Sequence, residues 1–207
     1  MKKNFRYSFS LLLIHLLLNV DPSEAQKVEL IPFAGYETGA NATAVTDGLF
    51  HLDAGFLFGG AVNFRVFDSY KLEVSYGHMN SEMTYTLDPE INELGRYGVT
   101  YITLGGIFEY NPEDTWVPFG KLALGTIIYN PEKEESATDR IGHFNISGGV
   151  KYFVHDHLGF RLQAGVLLPL FFEGYYFSDD VNTDGTGMPT KIMMVQGEIT
   201  TGLVFRF

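Results

Sequence analysis

His51, His78 and His143 fall toward the outer rim of the strand pattern described below, and the last two have a serine close by, the pairing from which a nucleophilic relay could be built. Such a relay needs a serine within hydrogen-bond reach of its base and a third group that orients the base. Ser81 follows His78 by three residues and Ser147 follows His143 by four. On a strand the second spacing keeps both side chains on one face but roughly 13 Å apart, too far for direct proton transfer. No catalytic residue is therefore assigned, and the protein is expected not to be an enzyme.

Cation chemistry has a partial signature. Asp180-Val181-Asn182-Thr183-Asp184-Gly185 matches the first half of a calcium loop, in which alternate oxygens converge and glycine permits the sharp turn. The second half fails, because Lys191 stands where a bidentate glutamate should close the loop. Asp180, Asn182 and Asp184 are thus the calcium candidates, with no integral cofactor expected. Loosely bound divalent cations are expected instead, drawn by Glu82, Asp88, Glu90, Glu93, Glu132, Glu134, Glu135 and Asp139 in the long polar stretches.

The remaining charges follow a rule of two. Counting back from Phe207, the residues Phe205, Leu203, Thr201 and Ile199 form one row, and Arg206, Val204, Gly202, Thr200, Glu198 and Gln196 form the other. Successive side chains of a strand point to opposite faces, so one row suits lipid and the other a polar interior. The same alternation sets Leu52, Phe56, Phe58, Val62, Phe64 and Val66 against Asp53, Asn63 and Arg65, and Tyr70, Leu72, Val74 and Tyr76 against Lys71 and Glu73. It continues through Ile102, Leu104 and Phe108 against Glu109, then Leu122 and Leu124 against Lys121. Ile146, Val150 and Tyr152 oppose Lys151, and Phe160 and Leu162 oppose Arg161. With a first strand over residues 28–36 that carries Glu29, the count is eight antiparallel strands. The interior then holds acids Glu29, Asp53, Glu73, Glu109 and Glu198 against bases Arg65, Lys71, Lys121, Lys151, Arg161 and Arg206. An eight-stranded barrel is only wide enough for side chains to fill it, so these groups are expected to form a packed polar network.

Connections alternate in length. Phe67-Asp68-Ser69, Asn111-Pro112-Glu113-Asp114 and Val154-His155-Asp156-His157 are short turns, whereas residues 38–49, 78–97, 130–142 and 173–191 read as long loops. Short periplasmic turns and longer extracellular loops are the habit of outer-membrane barrels. Aromatics near strand ends, namely Tyr36, Tyr70, Tyr110, Trp116, Tyr129, Phe172 and Phe207, fit interfacial girdles.

The N-terminus reads as an export signal, with Lys2, Lys3 and Arg6 ahead of an apolar run at residues 11–18 and Ser23-Glu24-Ala25 as the cleavage site. Residues 1–25 are expected to be removed, leaving one domain over 26–207. The net charge is −11, and loss of the signal makes it one unit more negative, which argues against a nucleic-acid partner. There is no cysteine, hence no disulfide and no thiolate metal site.

The glycine-punctuated hairpins at 59–60, 105–106 and 148–149, the segments Trp116-Val117-Pro118-Phe119-Gly120 and Gly148-Gly149-Val150-Lys151-Tyr152-Phe153, and the terminal Phe207 resemble the small outer-membrane β-barrel family of the OmpA and OmpX type, with OmpW-like barrels as relatives. The resemblance implies an all-β, eight-stranded, up-and-down transmembrane barrel in the outer membrane of a Gram-negative bacterium, ending at the barrel with no further domain. It implies that Phe205 and Phe207 are read by the barrel-assembly machinery during insertion. The partners expected are outer-membrane lipid, lipopolysaccharide and a ligand of the extracellular loops. The expected role is structural or loop-mediated. A narrow channel or transporter for small or hydrophobic solutes is the alternative, in which Pro169, Phe171 and Phe172 interrupt strand pairing at the rim. A lipid-modifying enzyme at the rim is the third, although the closely spaced His-x-Ser of barrel lipid A deacylases is absent.

Overall fold

The computed structural model describes residues 28–44, 49–87, 90–131, 139–169, 174–175, 189–191 and 195–207. The proposed signal and the calcium candidates Asp180, Asn182 and Asp184 lie outside them. Twelve strands are present: β1 Val28–Glu37, β2 Ala40–Ala44, β3 Leu49–Leu52, β4 Gly55–Phe67, β5 Tyr70–Leu87, β6 Glu90–Glu109, β7 Trp116–Pro131, β8 Asp139–His155, β9 Leu158–Pro169, β10 Gly174–Tyr175, β11 Pro189–Lys191 and β12 Gln196–Arg206.

Eight of them close a barrel in the order β1-β4-β5-β6-β7-β8-β9-β12, every pair antiparallel, with β12 returning to β1. The closing seam joins the chain ends, since the Phe207 amide donates to the Val28 carbonyl at 2.9 Å and the Val28 amide to the Phe207 carbonyl at 3.3 Å. Closure leaves the membrane-spanning part of the wall no unpaired edge, a necessity where no water can satisfy backbone groups. In the turn after β6, Asn111 takes a left-handed conformation (φ 48°) and its carbonyl accepts from the Asp114 amide at 3.0 Å. The inward glycine of a repeated pair has a packing cause: a Cβ on Gly149 would lie 2.0 Å from the Leu162 carbonyl oxygen and 2.9 Å from the Phe119 ring.

The outer wall carries an apolar belt that includes Leu72, Val74, Ile102, Leu104, Leu122, Leu124, Leu162, Ile199 and Leu203, all exposed. The eight barrel strands run from 10 to 20 residues, enough for the roughly 9–11 that span a bilayer. One aromatic ring borders the belt near the short turns, where Phe67 meets Tyr70, Tyr70 meets Phe108, and Trp116 stacks on Tyr152 with centroids 4.6 Å apart. The other ring contains Tyr36, Phe56 and Phe58, with Tyr36 edge-on to Phe56 at 5.6 Å. Tyr129 does not join a girdle; it is inward and 1% exposed. Phe172 lies outside the described residues.

The long stretch at 78–97, expected as a loop, is mostly strand. β5 and β6 pair from Tyr70↔Phe108 to Leu87↔Glu90, with one irregularity after Met83. At 18 and 20 residues they rise well past the belt. The alternation that would reveal them inverts there: His78, Asn80 and Glu82 point outward while Met79, Ser81 and Met83 point in. Beyond the belt the barrel continues as an outer tier, in which β3 pairs with β5, β2 with β3, β11 with β2 and β10 with β11. Leu52, assigned by alternation to the lipid row, is buried in this tier, because Asp53 and Ala54 are both exposed and reset the phase between β3 and β4.

Candidate functional site

The interior is layered. Nearest the chain termini, Glu29 on β1 accepts from Lys71 Nζ at 2.5 Å, Lys151 Nζ at 2.5 Å, Asn63 Nδ2 at 3.1 Å and Arg206 Nε at 3.2 Å. Glu109 faces the same two lysines, at 2.8 Å from Lys71 and 2.5 Å from Lys151. Both carboxylates and both lysines are buried. Their strands lie on different sides of the barrel, so these contacts bridge the lumen. Arg206 also stacks on the Phe153 ring, 3.7 Å from its centroid.

One layer outward, Glu73 accepts from Lys121 Nζ at 3.0 Å and Arg161 Nη1 at 2.5 Å. Arg161 donates in turn to Gln163 and lies over the Phe119 ring. Gln163 Nε2 and Asn145 Nδ2 donate to Glu198 Oε1 at 3.0 and 3.1 Å. A cavity of about 50 Å³ adjoins this layer, its lining including Glu73, Lys121, Arg161, Gln163 and Glu198 together with Phe33, Leu57 and Leu167. That is room for roughly three or four waters.

The third layer is apolar. Leu52, Leu57, Met79, Met83, Tyr97, Val99, Tyr101, Ile127, Tyr129, Ile141 and Leu167 form one buried cluster inside the outer half of the barrel. Three polar side chains enter it fully buried: Glu37, His143 and Gln196. Glu37 Oε1 accepts from the Tyr101 hydroxyl at 2.7 Å, and His143 Nε2 meets Thr103 Oγ1 at 3.4 Å.

Nine of the eleven sequence-derived interior charges thus lie in the two inner layers: Glu29, Lys71, Glu73, Glu109, Lys121, Lys151, Arg161, Glu198 and Arg206. Asp53 stands apart, half exposed at the phase break, 3.0 Å from His51 Nε2. Arg65 reaches the short turn after β6 and pairs with exposed Glu113 at 3.4 Å. Glu37 was missed, although it continues the inward row Glu29, Ile31, Phe33, Gly35; the first strand runs one residue further than its apolar outer row.

The histidine and serine pairs do not meet. Ser147 donates to Asn145 Oδ1 at 3.0 Å, Ser81 to the Asp53 carbonyl at 2.6 Å, and His78 faces Thr100 at 3.1 Å. Among the described residues no group of three or more His, Asp or Glu side chains converges as a metal site. Phe205 is exposed on the outer face of β12, and Phe207 sits at the seam with β1.

No protein-family model and no curated protein matches the chain. Solved structures do. OprG, an outer membrane protein of Pseudomonas aeruginosa, superimposes with a TM-score of 0.61 at 10% identity, covering 88% of this chain and 97% of that one. Neisserial surface protein A superimposes with a TM-score of 0.54 at 12% identity, covering 88% and 99%. What is shared at such identities is the fold: a small outer-membrane β-barrel.

Proposed function

We propose that this chain is an integral outer-membrane protein whose interior is closed by its own side chains and whose working surface is the set of connections beyond the outer tier. The observation that carries this reading is Lys151, 0% exposed, held between Glu29 and Glu109 across the lumen. A continuous aqueous path would have to break buried ion pairs whose partners have no water to replace them. The apolar layer above supports the same reading, since ions would have to cross a second segment lined mainly by apolar side chains. Lipid and lipopolysaccharide surround the belt, Phe205 and Phe207 serve insertion through the barrel-assembly machinery, and divalent cations associate loosely with the acidic exterior. Among the described residues Ser81, Ser147 and His78 bond elsewhere, which speaks against a serine–histidine relay at the rim.

The test is single-channel conductance of the mature protein refolded into planar bilayers, with folding verified by heat-dependent gel mobility. Silence is the expected result; discrete, reproducible openings would overturn the plug.

A further inference from the structure

Charge is unevenly distributed along the lumen. In the first layer Glu29 and Glu109 face the cations Lys71, Lys151 and Arg206, and in the second Glu73 faces Lys121 and Arg161. Where the outer apolar layer begins, Glu37 and Glu198 stand directly opposite each other on β1 and β12, and neither has a cationic partner among the described residues. Directly opposed residues on one face of a sheet have their Cβ atoms about 4.5–5.5 Å apart, and like charges there repel. Burial removes the water that would screen them.

The surroundings are oxygen-rich and unsatisfied. Glu37 is 0% exposed; its Oε1 accepts from Tyr101, and its Oε2 has no hydrogen-bond partner. Gln196, two residues before Glu198 on the same inward row, is also 0% exposed; its amide reaches the Tyr101 hydroxyl that Glu37 holds, and its amide oxygen has no hydrogen-bond partner. The unpartnered amide oxygen and the unpartnered carboxylate oxygen thus belong to one locus. Leaving such groups unpaired costs free energy, and a native structure that does so repeatedly at one place needs a reason. Glu198 packs over Gly165, its partner on β9, where a Cβ would come 3.0 Å from Glu198 Oε1, the oxygen that accepts from Gln163 and Asn145.

We infer that Glu37 and Glu198 together bind a hard divalent cation of the calcium class inside the barrel, with the Gln196 amide oxygen as a further ligand. Hard cations take carboxylate and amide oxygens and tolerate irregular, partly hydrated sets of ligands, and the half-buried Glu198 borders a cavity with room for water. One bound divalent ion would neutralise the two carboxylates. It would also tie β1 to β12 at the outer end of the seam whose inner end is tied by Val28 and Phe207. This site is distinct from the Asp180, Asn182 and Asp184 stretch and does not depend on whether the lumen conducts.

The test is terbium binding to the full mature protein refolded in detergent, read as terbium emission sensitised through tyrosine and competed by calcium chloride. The expected result is a saturable signal that Glu37→Gln and Glu198→Gln each weaken at least tenfold. Asp180→Asn with Asp184→Asn should leave it in place. Glu37→Gln keeps an oxygen for Tyr101, and Glu198→Gln alters a half-buried position, so at least one variant remains folded by gel mobility. Unchanged binding in a folded Glu37→Gln or Glu198→Gln barrel would overturn the proposal and assign the cations to the acidic exterior. Absence of saturable binding, with both variants simply more resistant to unfolding, would also overturn it and assign a shared proton to the pair.

Discussion

Along β5, Tyr70, Leu72, Val74 and Tyr76 point outward while Lys71 and Glu73 point in; a few residues later on the same strand, Asn80 and Glu82 point outward while Met79 and Met83 point in. The backbone alternation does not change between the two regions, but the polarity assigned to its two faces does. In the inner tier the outside solvent is lipid, so apolar side chains face out and charges are confined to the lumen, where Glu29, Lys71, Glu109 and Lys151 satisfy one another. In the outer tier the outside solvent is water, and the barrel acquires the ordinary apolar core of a soluble protein, with Met79, Val99, Ile127 and Ile141 inside. One closed sheet therefore meets two solvents. The crossover, between Tyr76 and His78 on β5, marks the outer membrane boundary more sharply than any loop.

The largest expected effect that tests this contrast lies in the ionic layer. Lys151→Met leaves Glu29 and Glu109 short of a buried partner and should cost about 3–5 kcal/mol, read from urea unfolding in lipid vesicles. A loss under about 1 kcal/mol would mean that water reaches the layer and that the plug is loose. Next comes the belt. Leu104→Arg, at an outward position 54% exposed, should lose on the order of 2–4 kcal/mol of membrane folding, while Asn80→Arg, outward on the outer tier, should fold with unchanged yield. Equal losses for the two would place the lipid boundary above Asn80 and erase the two-tier division. The smallest effect is on the outer surface, where Arg96 and Glu82 pair at 3.5 Å with both side chains 62% exposed. Arg96→Ala should change stability by less than about 1 kcal/mol, with the difference vanishing in high salt.

The same contrast explains what could and could not be read in advance. The lipid row and the opposing charges of the inner tier are local facts: each charge sits an odd number of residues from the apolar row beside it, so Lys71, Glu73, Lys121, Lys151 and Arg161 could be assigned inward without knowing any partner. Residues 78–97 looked like a loop because the outward apolar row ended at Tyr76. What continued was an inward row of Met79, Met83, Val99 and Tyr101, separated by polar residues. Asp53 was assigned inward because two exposed residues in succession, Asp53 and Ala54, break the alternation without any residue type to announce it. Glu37 lies one residue past Tyr36, the last outward aromatic of the first strand, where the apolar row that marks the strand ends.

By itself the sequence determined that the chain forms a barrel of alternating strands and which face of each inner-tier strand is polar, because a charge in lipid is costly enough for that rule to hold residue by residue. Which acid meets which base was decided only by closure. Lys151 and Glu29 are 122 positions apart, and their contact depends on strand order, stagger and barrel width, none of which is encoded in a short window. The pairing of Glu37 with Glu198 likewise exists only because β12 closes onto β1 in a register that sets two acids side by side. Alternation assigns a side chain to the inside or the outside; its neighbours there are fixed by the geometry of the closed wall.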